Sequence, residues 1–126
     1  MIVIDTSALV AIMLKEPEAT ICLEAIGDQR VLISAGTMSE TLIVAASRHL
    51  IDQMSALIDE LDLEIISLTP ESVGLVGRAY ADWGKGLHPA SLNFGDCFAY
   101  QLASERDLPL LYVGNNFART DVRSAL

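Results

Sequence analysis

Short, uninterrupted apolar runs alternate with longer segments of helical periodicity along this whole chain, and few folds accept that rhythm. "MIVID" (1–5) reads as a short buried strand ended by Asp5 and Thr6. "RVLIS" (30–34), "LEIISL" (63–68) and "LPLLYV" (108–113) repeat the pattern as second, third and fourth strands. Between them, "TSALVAIML", "PEATICLEAIG", Thr37 to Leu50, "IDQMSALIDELD", "TPESVGLVGRAYADWG" and the stretch from Asn93 to Glu105 read as helices. Pro17 opens the second helix at a first-turn position, and Thr69 with Pro70 forms a strong N-cap and N1 pair. "KGLHPASL" is a loop, and "GNNFART" a turn leading to a short terminal strand around Val122. Strands alternating with helices in this way predict a three-layer α/β/α fold around a mainly parallel sheet. Ligands in such folds bind outside the carboxyl ends of the strands, and Asp5 is the first residue at that edge.

The chain has 126 residues, enough for one hydrophobic core without disulfide staples, and is expected to form a single domain over 1–126. With 52% hydrophobic and 20% charged residues it belongs among globular rather than disordered proteins. The longest apolar run, Ala8 to Leu14, is far too short to span a bilayer, and no membrane association is expected. The N-terminus lacks a basic leader and carries Asp5 within its apolar stretch, which argues against a signal peptide. Cys22 and Cys97 fall in apolar helical segments and read as buried thiols of a reducing cytoplasm. No CxxC or HExxH pattern suggests zinc. Seventeen acids against eight bases, a net charge of −9, exclude a protein that grips nucleic acid merely by being basic. That balance suits a metal site, a basic partner, or plain solubility.

Within "LNFGDCFAYQLA" (92–103) Leu92, Phe94, Cys97, Phe98, Ala99, Tyr100, Leu102 and Ala103 are expected to build a buried helix, yet a carboxylate, Asp96, sits among them. A buried charge is costly unless it is paired, hydrogen-bonded or bound to a metal. Asp5, Glu40 and Asp96 all occur in apolar surroundings near predicted helix starts, and two explanations stand side by side. The first is capping: "TMSE" (37–40) matches a capping box with Thr37 as N-cap and Glu40 at N3, "NFGD" (93–96) is a looser one, and Asp5 or Thr6 serves the first helix. The second is convergence: three carboxylates meeting at the sheet edge repel one another, and a divalent cation relieves that repulsion. Such an oxygen-rich site suits Mg²⁺ or Mn²⁺ and phosphodiester hydrolysis.

"MIVIDTSAL", the isolated Glu40, "HPASLNFGDCFAYQLA" and "LPLLYVGNNFARTDV" occur in the order seen in PIN-domain proteins. Over essentially its whole length the chain most resembles the VapC ribonuclease toxins of bacterial type II toxin–antitoxin modules. The resemblance implies a PIN-like fold and Mg²⁺-dependent endoribonuclease activity, with Mn²⁺ as a substitute ion. It also implies RNA as substrate, a cognate VapB-type antitoxin as inhibitor, and a homodimer. Carried over by position, Asp5, Glu40 and Asp96 are the catalytic and metal-binding acids, and Ser7 orients the Asp5 carboxylate or a metal-bound water. Many relatives carry an Asp where this chain reads "GNNF". Asn115 and Asn116 are weaker ligands, so Asn116 is assigned a supporting role and no two-metal mechanism follows. Asp121 is a further supporting candidate, and Arg119 and Thr120 are candidates for RNA contact.

Two other folds with an early Asp fit less well. A haloacid-dehalogenase-type phosphatase wants a second Asp where Ser7 stands, and a receiver domain wants a late Lys, whereas the lysines are Lys15 and Lys85 alone. The stronger competitor is a PIN-like binding module with weak chemistry, for which "GNNF" speaks and the three acids do not.

Overall fold

The computed structural model describes all residues from Met1 to Leu126. A four-stranded, wholly parallel sheet runs through its middle in the order β3-β2-β1-β4. The strands are β1 (Ile2–Ile4), β2 (Val31–Ser34), β3 (Glu64–Ile66) and β4 (Leu110–Leu111). The helices are α1 (Thr6–Met13), α2 (Ala19–Ile26), α3 (Ala35–Ser47), α4 (Ile51–Leu61), α5 (Pro70–Trp83) and α6 (Phe94–Arg106).

Alternation along each strand sorts the core into two halves. Ile2, Ile4, Val31, Ile33 and Leu111 face one layer, where they pack with Leu9 and Ile12 of α1, Cys22 and Ile26 of α2, and Met54 of α4. Val3, Leu32 and Leu110 face the other, with Ala79 of α5 and Cys97, Tyr100, Leu102 and Ala103 of α6. The central strands are buried on both faces because helices cover both, which is why they read as continuous apolar runs. The predicted α/β/α layering is thus the observed one. No helix is long and apolar enough to cross a membrane.

Three local expectations need correction. The second helix begins at Ala19 rather than Pro17: Lys15 turns the chain in the left-handed region (φ 53°), and Glu16 to Glu18 are spent on the tight link from α1. β4 is only two residues long, and the terminal strand reduces to a single bridge of Leu110 to Ser124, flanked by backbone bonds to Arg123 and Ala125. Phe94 is not part of a buried face. It is the first residue of α6, 77% exposed, and stacks edge-on against Phe98.

The strand order reverses between β1 and β4, since β2 and β3 are added on one side of β1 and β4 on the other. Such a switch point leaves a crevice at the carboxyl edge, between the segments leaving the two strands. Asp5 follows β1 directly into that crevice.

Candidate active site

Asp5 caps α1 in an extended conformation (φ −98°, ψ 158°), so its side chain turns back over the first helical turn. Its Oδ2 accepts from Ser7 N at 3.0 Å and from Ser7 Oγ at 2.7 Å. Ser7 Oγ also accepts from Val113 N at 3.0 Å, which ties the start of α1 to the segment leaving β4. Ser7 therefore fixes the rotamer of Asp5 across the switch point. The other oxygen, Asp5 Oδ1, is buried and has no hydrogen-bond partner. An orphaned carboxylate oxygen is expensive to bury. Burial pushes the Asp5 carboxyl up to about 7, the Ser7 bonds oppose this, and the charges of Asp96 and Glu40 add to it.

Asp96 stands at N3 of α6 and does cap its own helix. Asn93 Oδ1 accepts from Asp96 N at 2.9 Å, and Asp96 Oδ2 accepts from Asn93 N at 3.0 Å. Its carboxyl is nonetheless raised above the ordinary range by burial, against the Asn93 backbone bond and the Asn116 side chain, which pull it down. Asp5, Ser7 and Asp96 line one cavity of about 240 Å³ together with Val113 to Phe117, so Asn116 faces the same space.

Glu40 requires the largest correction. Thr37 is not an N-cap, because β2 runs straight into α3 without a loop and the cap falls on Ser34, whose hydroxyl accepts from Gly36 N at 3.2 Å. Glu40 thus lies in the second turn of α3 and its carboxylate caps nothing. Its Oε1 accepts from Thr6 Oγ1 at 2.7 Å, and the carboxylate rests against Gly95, where a Cβ would overlap it. A matching notch lies nearby: a Cβ at Gly36 would overlap the Phe98 ring. Each helix, α3 and α6, offers a glycine to a side chain of the other. Sequence reading missed Thr6 and Gly95, although a glycine beside an acid at a helix start signals close approach.

The remaining candidates lie further out. Asp121 Oδ1 accepts from the phenolic Oη of Tyr100 at 2.6 Å, and Asp121 borders a different depression with Arg123 and Asp107. Arg119 is exposed and donates to Pro89 O at 3.2 Å, and Thr120 Oγ1 donates to Phe117 O at 2.7 Å. Both close the turn after β4 and neither lines the cavity.

No three carboxylate, imidazole or thiol groups stand close enough to hold an ion among them unaided. The donor set still fits a hard divalent cation. It offers two carboxylates with raised proton affinity, one buried unpartnered oxygen and a neighbouring amide, and Mg²⁺ is commonly held by one or two carboxylates with water completing its shell.

A parallel sheet with an acidic crevice at its switch point defines the class of domain. Comparison with known proteins then supplies the family: the PIN domain model matches residues 2–123. Ribonuclease VapC28 of Mycobacterium tuberculosis is 39% identical over 129 residues, covering 98% of this chain and 97% of the relative. Among solved structures, VapC20 of Mycobacterium tuberculosis, described as a sarcin-ricin loop cleaving toxin, aligns with a TM-score of 0.77 at 13% identity, covering 97% of this chain and 96% of that one. A toxin–antitoxin complex from Klebsiella pneumoniae aligns with a TM-score of 0.75 at 19% identity, covering 100% and 98%. The chain belongs to the PIN-domain family.

Proposed function

We propose that this chain is a metal-dependent endoribonuclease toxin of the VapC kind, with Asp5 and Asp96 as the cation-binding pair. The observation that carries the reading is Asp5: a buried carboxylate at the switch point, with Oδ1 unpartnered, lining a cavity together with Asp96. Identity to named VapC ribonucleases at about full length supports the same reading.

Asp5 and Asp96 would hold Mg²⁺, or Mn²⁺ in its place, with Asn116 beside them and Glu40 adjoining. When bound, the cation supplies charge neutralisation at the phosphodiester and lowers the pKa of water. Ser7 keeps Asp5 Oδ2 engaged, which leaves Oδ1 as the unpartnered oxygen free to take a cation. The Asn93 cap holds Asp96 at a set rotamer. Hydrolysis of an RNA phosphodiester here leaves a 5′-phosphate on one product and a 3′-hydroxyl on the other. Arg119, exposed at the turn after β4, is the proposed contact to the RNA backbone outside the cavity.

The partner is proposed to be a VapB-type antitoxin, and the working unit a homodimer. Ile21 and Leu23 of α2 are 48% and 45% exposed, on different sides of the helix, and leave apolar surface there for an amphipathic antitoxin segment. The deciding experiment compares cleavage of structured RNA by wild type and Asp96→Asn, purified identically, with Mg²⁺, Mn²⁺ or EDTA. Metal-dependent cutting by wild type alone is expected. Equal cutting by both proteins would remove Asp96 from the chemistry.

A further inference from the structure

Glu40 is held by a set of contacts that no cap or core requirement explains. Thr6 Oγ1 donates to Glu40 Oε1 at 2.7 Å and lies 2.9 Å from Thr41 Oγ1, while Thr41 Oγ1 lies 2.9 Å from Thr37 O. Thr6, Thr37 and Thr41 are all buried. On its other side the carboxylate fits the notch left by Gly95. The third acid is therefore clamped between the residue after Asp5 and the residue before Asp96.

Proton counting identifies which group does the holding. Each threonine hydroxyl carries one proton and an ionised carboxylate carries none, so Thr6 must donate to Glu40. Thr41 keeps its own proton for Thr37 O or for Thr6 Oγ1. Loss of the Thr6 hydroxyl consequently frees Glu40 without stranding Thr41, whose bond to Thr37 O remains. A glutamate released in this way regains rotamer freedom that is lost again when a cation held by Asp5 and Asp96 engages it, directly or through water.

Resting on the metal-dependent reading above, we infer that Thr6 is a positioning residue for Glu40: its hydroxyl anchors Oε1, and Gly95 provides the room, so that the carboxylate stays beside the Asp5–Asp96 pair. Divalent affinity then depends on a side chain that never touches the ion, as outer-shell partners of metal ligands commonly require.

Mn²⁺ titrated into the full chain without RNA, with free Mn²⁺ followed by electron paramagnetic resonance, tests this directly. Thr6→Val is expected to weaken Mn²⁺ binding on the order of 10-fold, and Thr6→Ser, which keeps the donor, to restore it. Added to Glu40→Gln, Thr6→Val should change nothing further, because it acts through that carboxylate. Circular dichroism establishes that each variant is folded. Equal affinity of wild type and folded Thr6→Val overturns the inference while leaving the metal site standing, and so does a loss that adds to that of Glu40→Gln. A wild type that binds no Mn²⁺ removes the metal-dependent reading itself, and this inference with it.

Discussion

The starts of α5 and α6 are built alike and loaded differently. In α5, Ser72 N donates to Thr69 Oγ1 at 3.1 Å and Thr69 N donates to Ser72 Oγ at 2.6 Å, a reciprocal capping box made of neutral hydroxyls. In α6 the same box is closed by Asn93 and Asp96, with a carboxylate at N3. The cap alone does not call for an acid, since serine performs the same task at the start of α5, in the same layer of the same protein. Nor does the cap account for the carboxyl of Asp96. A helix N-terminus lowers a carboxyl pKa, yet burial beside the Asp5 cavity leaves this one raised. The difference marks Asp96 as a charge kept at a cost to the fold, at the one of these two helix starts that borders the switch point.

The largest effect that would sharpen the contrast is chemical. Asp96→Asn keeps an oxygen to accept from Asn93 N, so α6 stays capped, while RNA cleavage should fall by about 100-fold or more. Ser72→Ala should leave cleavage unchanged. If Asp96→Asn unfolds the protein instead, the acid is structural after all and the two starts are equivalent.

Next in size is the pH dependence of the metal-free protein. The folded-state pKa of Asp5 is about 7, against 3.8 for the ordinary carboxyl, so the folded state binds the proton more tightly than the unfolded one. The contribution of Asp5 to stability is therefore fullest below pH 4, falls as pH rises toward 7, and levels off above that. The span should be on the order of a few kcal/mol, with Asp96 adding in the same direction. Denaturant melts from pH 5 to 8 in EDTA would show the fall. Asp5→Asn should flatten it and raise stability at pH 8. A wild-type profile that is already flat would mean that the buried carboxylate is not strained.

A smaller effect belongs to α5. Ser72→Ala removes one side of its box and should cost about 1 kcal/mol in thermal unfolding, with no change in cleavage. The smallest is at Asp121, where Asp121→Asn weakens the bond from Tyr100 and should cost well under about 1 kcal/mol, again with cleavage intact. Loss of cleavage in that variant would show that the working site extends beyond the cavity.

What could be read from the residues follows their range. The strands, the parallel α/β layering, the caps at Thr69 and Asn93 and the place of Asp5 at a strand end all rest on patterns spanning a few neighbours, so the sequence by itself determined them. The same local logic erred at Thr37, where "TMSE" satisfies a capping pattern but β2 delivers the chain into α3 three residues earlier. Only the tertiary structure decided that Glu40 meets Thr6 across 34 positions, that Ser7 receives Val113 N across 106, and that Asp121 turns to Tyr100 across 21. The physical reason is that hydrogen-bond partners at such separations are chosen by which helices pack together. That packing depends on two glycine notches, Gly36 for Phe98 and Gly95 for Glu40, whose meaning appears only when α3 and α6 lie side by side.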